Sequence, residues 1–197
     1  MLQSFRKTIP FSLIRHNDTP CYVREGYGGK PIEDWPVYGF ICEYLEGKKG
    51  EAFDHYERWY IDQLSKYSTV PNNAGGMYKG SLYLLIERRA GAPFKDVPIS
   101  TKTQAIHERV QQRFALVDSI KKKGYDANSE RIEAVKKNGY VYLRGGHHRA
   151  AALRALDYDA LPGILVFPNE FIYNIVTLLR KIKKWLFSKI RMNISGG

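Results

Sequence analysis

A chain of 197 residues, 44% hydrophobic and 26% charged, is long enough for one domain with an elaborated end and apolar enough to pack a core. The net charge of +11 favours anionic partners, but six basic residues and no acidic one follow Glu170, so the remainder of the chain carries only 25 basic against 20 acidic residues. General basicity therefore does not argue for a nucleic-acid reader. Cys21 and Cys42 make neither a metal motif nor a redox dithiol. No run reaches the roughly 20 apolar residues of a membrane span, and the opening MLQSFRKTIPFSLIRHNDTP lacks the apolar core of a secretion signal. The expectation is a cytoplasmic protein with reduced cysteines.

Residues 1–50 are broken by Pro10, Pro20, Pro31, Pro36 and several glycines, and Gly26-Tyr27-Gly28-Gly29 reads as a loop. Residues 51–67 place Phe53, Tyr56, Tyr60 and Leu64 at helical spacing. After the break at Pro71–Gly76, SLYLLIER at 81–88 reads as a buried strand. The clearest long helix is 104–123. It has a stripe of Ile106, Val110, Phe114, Val117 and Ile120, with Arg109, Arg113 and Lys121 beside it and Gly124 as its C-terminal cap. A short strand at 132–135, an Asn138-Gly139 hairpin turn and a returning strand at 140–143 follow. Residues 147–156 then read as a helix and 161–167 as a last strand.

The chemistry concentrates where the returning strand meets the next helix, at Arg144-Gly145-Gly146-His147-His148-Arg149. Two glycines let the backbone turn sharply and approach a ligand. The first amides of a helix lack helical partners and sit at the positive end of its dipole, an arrangement that binds phosphate. His147, His148, Arg149 and Arg144 add side-chain donors, and Arg149 suits bidentate contact with phosphate oxygens. Three potential cations in a first turn oppose the dipole by roughly 0.3–1 kcal/mol each, a conflict that a bound anion relieves. The competing reading is that the histidines are neutral turn and capping residues.

The stretch 114–166 resembles the ParB/sulfiredoxin superfamily. The shared features are a helix closed by Gly124, the strand Ile132-Glu133-Ala134-Val135, the segment from Gly139 to Arg149 with Ala152, and a final strand from Leu161-Pro162. The resemblance implies an α+β fold: a compact mixed sheet with packed helices, preceded by an N-terminal extension (1–80), occupying 81–168, and followed by a C-terminal helix and short tail (169–197). Sulfiredoxins resemble this site with cysteine where His147 stands, so a thiol mechanism at that position is excluded. ParB proteins need a helix-turn-helix reader and a dimerisation domain, and only about 30 residues follow Val166. The free-serine-kinase branch, with its histidine-rich loop, fits best. It implies a kinase-type phosphotransferase using ATP or another nucleotide, with magnesium as an admissible co-ligand, on a small hydroxyl-bearing acceptor such as a sugar, polyol or amino acid. His147 and His148 are the catalytic candidates at the loop, and Glu87 is the first candidate for an acceptor-orienting carboxylate. Glu108, Asp118 and Asp126 are weaker candidates, and no metal ligands are identifiable. Two alternatives stand beside this one: a non-catalytic nucleotide-binding switch that contacts DNA or a membrane, and a ParB-like nuclease. Oligomeric state is left open.

Residues 171–191, FIYNIVTLLRKIKKWLFSKIR, form a basic amphipathic helix with a stripe of Ile172, Ile175, Val176, Leu179, Ile182, Leu186 and Ile190. It is either an anchor on an anionic membrane or partner, or a terminal helix docked on its own domain.

Overall fold

The computed structural model describes residues 6–18, 26–68, 81–127 and 132–194. Five strands form one mixed sheet: β1 (Arg6–Pro10), β2 (Ile14–Arg15), β3 (Glu133–Lys137), β4 (Tyr140–Gly145) and β5 (Ala160–Phe167), in the order β1-β5-β3-β4-β2. Six α-helices accompany it among the described residues: α1 (Pro36–Leu45), α2 (Lys49–Ser68), α3 (Ser81–Ala90), α4 (Ile99–Lys123), α5 (His147–Ala155) and α6 (Glu170–Ile194). The fold is α+β.

The centre of the sheet is the hairpin of β3 and β4. Asn138 and Gly139 both adopt positive φ, 51° and 80°, the twist that a two-residue turn needs to keep right-twisted strands paired. β5 joins β3 in parallel, and β1 closes that edge antiparallel to β5. β2 lies parallel to β4 on the other edge, with Ile14 opposite Val141 and Arg15 opposite Tyr142. Residues from the first fifth of the chain thus supply both edge strands.

Alternation along the strands divides the side chains between two faces. Val141, Leu143, Ala134, Ile164 and Val166 enter the main core, which α1, α2, α4 and α5 cover. Val135, Leu165 and Phe167 point the other way and meet Ile172, Tyr173 and Val176 of α6. In α5 the residues Ala150, Ala151, Ala152 and Leu153 are all fully buried. Three small side chains in a row let this helix settle closely among α1, α4 and β5, and that fixes the position of its N-terminus.

Most of the expected elements are present, and α4 begins at Ile99, five residues before the expected start at 104. Gly124 caps α4 at φ 76°, its amide donating to Ile120 O at 2.8 Å. One expectation is overturned. Residues 81–88 belong to helix α3, not to a strand. A continuous apolar run is ambiguous between the two, and the Leu, Glu and Arg content together with burial of Ile86 against α4 favours the helix. Within 1–50, a regular helix α1 follows the prolines. Pro36 occupies its first turn, where proline's missing amide costs nothing.

Candidate functional site

β4 ends at Gly145 and α5 starts at His147, with Gly146 between them at φ 79°. A Cβ on Gly146 would lie 2.8 Å from Ile132 Cγ1 and 3.1 Å from its Cα. Glycine is therefore required there by the backbone angle and by the close passage of the residue that leads into β3. Gly145 differs: a Cβ there would meet nothing within 4 Å, so the open space lies at this position. The first intrahelical bond runs from Ala150 N–H to Gly146 O at 3.0 Å. The amides of residues 147–149 precede it, at the positive end of the helix.

His147 and His148 leave the turn in different directions. His147 packs on His16, ring centroids 4.5 Å apart, and His16 is itself 1% exposed between Tyr27 and Trp35, each 5.0 Å away. His16 is carried there by the parallel pairing of β2 with β4, which brings the residue after Arg15 alongside the end of β4. The glycine loop at 26–29 closes on it: the Gly29 amide donates to His16 O, and the His16 amide donates to Lys30 O at 2.8 Å. That loop is thus a structural flap over His16.

His148 lies beneath Trp35 at 5.0 Å, with the Tyr60 hydroxyl 3.4 Å from its Nε2. Tyr60 stacks on Tyr56 at 5.1 Å. Arg109 and Arg113, one turn apart on α4, complete the surroundings of this imidazole and disfavour its protonation. The two arginines also act on each other: burial, then the charge of Arg113, lowers the pKa of Arg109, and the Tyr60 hydroxyl is a hydrogen-bonding neighbour that opposes this. Arg113 Nε and Trp35 Nε1 are buried with no hydrogen-bond partner among the described residues.

Burial governs the ionisation of all three histidines. His16 is depressed to about 2 by burial and then by His147. His147 is depressed to about 4 by burial and then by the Arg144 charge. His148 falls well below the usual imidazole range through burial and then Arg113. All three are neutral near pH 7. The expected crowd of three cations in the first turn of α5 therefore reduces to the single charge of Arg149, and the cationic partners of His148 come from α4 instead.

The remaining expected residues are placed as follows. Arg149 sits in the first turn of α5, half-buried. Arg144 points to the opposite face of the sheet, 7% exposed. It is bound by Asp18 at 2.8 Å, by both Glu170 oxygens at 2.8–3.1 Å and by Asn17 Oδ1 at 3.1 Å. Its charge is engaged in tying β4 to the segment after β2 and to the start of α6. Glu87 accepts the Phe94 amide at 3.1 Å and so closes the connection between α3 and α4. Glu108 pairs with Arg89, and Asp118 accepts the Tyr44 hydroxyl at 2.8 Å. Among the described residues no group of three His, Cys, Asp or Glu side chains is placed to hold a metal ion.

Nothing local marks His16 or Trp35 as site residues, and Tyr60 stands out in the sequence only as part of a helical stripe. Arg109 and Arg113 were visible as the polar border of an apolar stripe, but which element that border faces is a tertiary fact. No family model matches the chain, and comparison with curated proteins and with solved structures gives no significant match.

Proposed function

We propose that this protein is a nucleotide-dependent phosphotransferase that holds phosphate between the N-terminus of α5 and the arginine pair of α4, and passes a phosphoryl group to a small hydroxyl-bearing acceptor. The observation that carries the reading is the meeting of Arg109 and Arg113 with His148 at a helix N-terminus. Two half-buried guanidinium groups disfavour each other, and a phosphate group between them would offset that repulsion. Helix amides, the dipole and paired arginines are each suited to phosphate oxygens, and together they provide donors from several directions. The open space at Gly145 leaves room for such a ligand beside the backbone. The order of residues from Gly139 to Arg149, which resembles the ParB/sulfiredoxin pattern, supports the same location.

The nucleotide would supply the transferable group, and magnesium in such reactions is bound by substrate phosphates, waters and one or two carboxylates. The chain's own part is to bind charge and orient the acceptor. Neutral His147 and His148 serve as hydrogen-bond acceptors or donors there rather than as standing cations, and Arg149 adds a charge at the helix start. Glu87, one of whose oxygens accepts the Phe94 amide, is the candidate carboxylate for orienting the acceptor.

A thermal-shift screen of ATP, ADP, CTP and GTP, with and without magnesium, followed by measurement of acceptor-dependent nucleotide consumption, tests the proposal. Stabilisation by a nucleotide with turnover only when an acceptor is added supports it. Binding without turnover favours a nucleotide-operated switch, and no response to any nucleotide or to inorganic phosphate removes the proposal.

A further inference from the structure

α6 has two apolar faces between Phe171 and Leu186. One is docked: Ile172, Tyr173 and Val176 pack on Val135, Leu165 and Phe167, and Arg180 is tied to Glu133 and lies over the Phe167 ring. The other is open. Phe171 is 69% exposed, Leu178 57% and Trp185 55%, with Leu179, Ile182 and Leu186 similarly exposed. At 3.6 residues per turn these six side chains fall within an arc of about 120°, facing away from the sheet. The stripe expected from the sequence is thus divided, with Ile172 and Val176 turned inward and Leu179, Ile182 and Leu186 outward.

The charges frame the open face. By helical position, Lys181 borders it beside Trp185 and Lys183 borders it beside Leu179. Both lysines are exposed. After Glu170 the helix carries no acidic residue. A second copy of the chain laid against this face would bring two sets of basic residues together, and the one acid of each helix, Glu170, is engaged with Arg144. An anionic lipid surface answers both features: acyl chains take up the apolar arc, and headgroups receive the bordering lysines, whose long stems reach outward along apolar surface. A tryptophan at the edge of such an arc sits at the depth where indole rings settle in membranes. No helix of the described residues is long and apolar enough to cross a bilayer, and an amphipathic helix on a lipid surface would lie in the interface plane.

We infer that α6 is an interfacial anchor that adsorbs the protein to anionic phospholipid through its outer Phe171–Leu186 face, with the sheet-docked face holding the rest of the chain beside the membrane. This inference is independent of the phosphate site.

The test uses the full chain and sedimentation with vesicles of phosphatidylcholine alone or mixed with phosphatidylglycerol. The expected result is association with the anionic vesicles, weakened by salt because the attraction is screened, with a blue shift of tryptophan emission that Trp185→Phe abolishes. Ile182→Glu should lower vesicle affinity at least about tenfold, since it places a like-charged group in the buried arc. The double change Lys181→Gln and Lys183→Gln should lower it several-fold on anionic vesicles only. Both variants alter exposed positions, and an unchanged melting temperature confirms their fold. Failure of the native chain to sediment with anionic vesicles overturns the inference. So does equal binding to neutral vesicles, or a lipid-indifferent dimer in sedimentation velocity that Ile182→Glu dissociates.

Discussion

Lowering the pH from about 7 to about 5 should destabilise this protein before ordinary carboxylates begin to titrate. The cause is the trio of neutral histidines at the start of α5. His16 is held at about 2 in the folded chain and returns to about 6.5 on unfolding. A folded pKa below the unfolded one means that the unfolded chain binds the extra proton, so the stabilisation is present above about pH 6.5 and lost as the pH falls below it. At pH 5 the unfolded chain gains about 2 kcal/mol from His16 by this linkage. His147, held at about 4, contributes a similar amount at pH 5, and His148 acts in the same direction. The sum is comparable with the roughly 5–15 kcal/mol stability of a typical domain. Urea unfolding followed by circular dichroism at about pH 7, 6 and 5 measures it. His16→Gln, which cannot titrate, should show a shallower decline, recovering about 2 kcal/mol of the difference. Parallel stability curves for the native chain and His16→Gln over this range would refute the assignment of a buried, neutral His16.

Gly146→Ala should cost about 1–2 kcal/mol for the left-handed backbone alone, plus the clash with Ile132, and a fall in the urea midpoint checks it. By contrast Gly145→Ala has open space and should leave stability nearly unchanged while weakening phosphate binding in calorimetry. Arg144→Met should destabilise by about 1.5–3 kcal/mol through loss of charged hydrogen bonds, with the loss diminishing toward acid pH. Asp18 explains that direction: burial alone would raise its pKa, but Lys137 and Arg144 lower it overall, so its stabilisation is present above its unfolded value and lost as the pH falls through its folded one. Cys42→Ser should leave turnover intact, because this half-buried thiol, its pKa raised by burial, lies on α1 and has no place among the site contacts; loss of activity in a folded variant would contradict that.

The pattern around the hairpin was legible because its signals are local. Asn138-Gly139 forces a particular turn, Gly124 ends a helix, and alternation in Val141 to Arg144 sets which side chain faces which layer. The same alternation explains why Arg144, next to the loop in sequence, is committed to Asp18 and Glu170 on the opposite face. SLYLLIER misled because five consecutive apolar residues carry no period. The two edge strands are short, and β1 ends in proline, so neither displays the run of alternating residues by which a strand is recognised. Local pattern also placed the turn between β4 and α5. Its surroundings depend on three long-range events: β2 pairing with β4, α1 following the turn that bears Trp35, and α4 presenting its arginines to α5. Cys21 lies outside the described residues.

Calorimetric titration with the nucleotide that most raises the melting temperature tests whether phosphate is held between α5 and the arginines of α4. Saturable binding by the native chain is expected, with a loss of roughly tenfold to a hundredfold in Arg113→Ala, the effect of one charge-assisted contact worth about 1.5–3 kcal/mol. The variant's melting curve would confirm that it remains folded. An affinity in Arg113→Ala equal to that of the native chain would show that phosphate does not sit against this guanidinium.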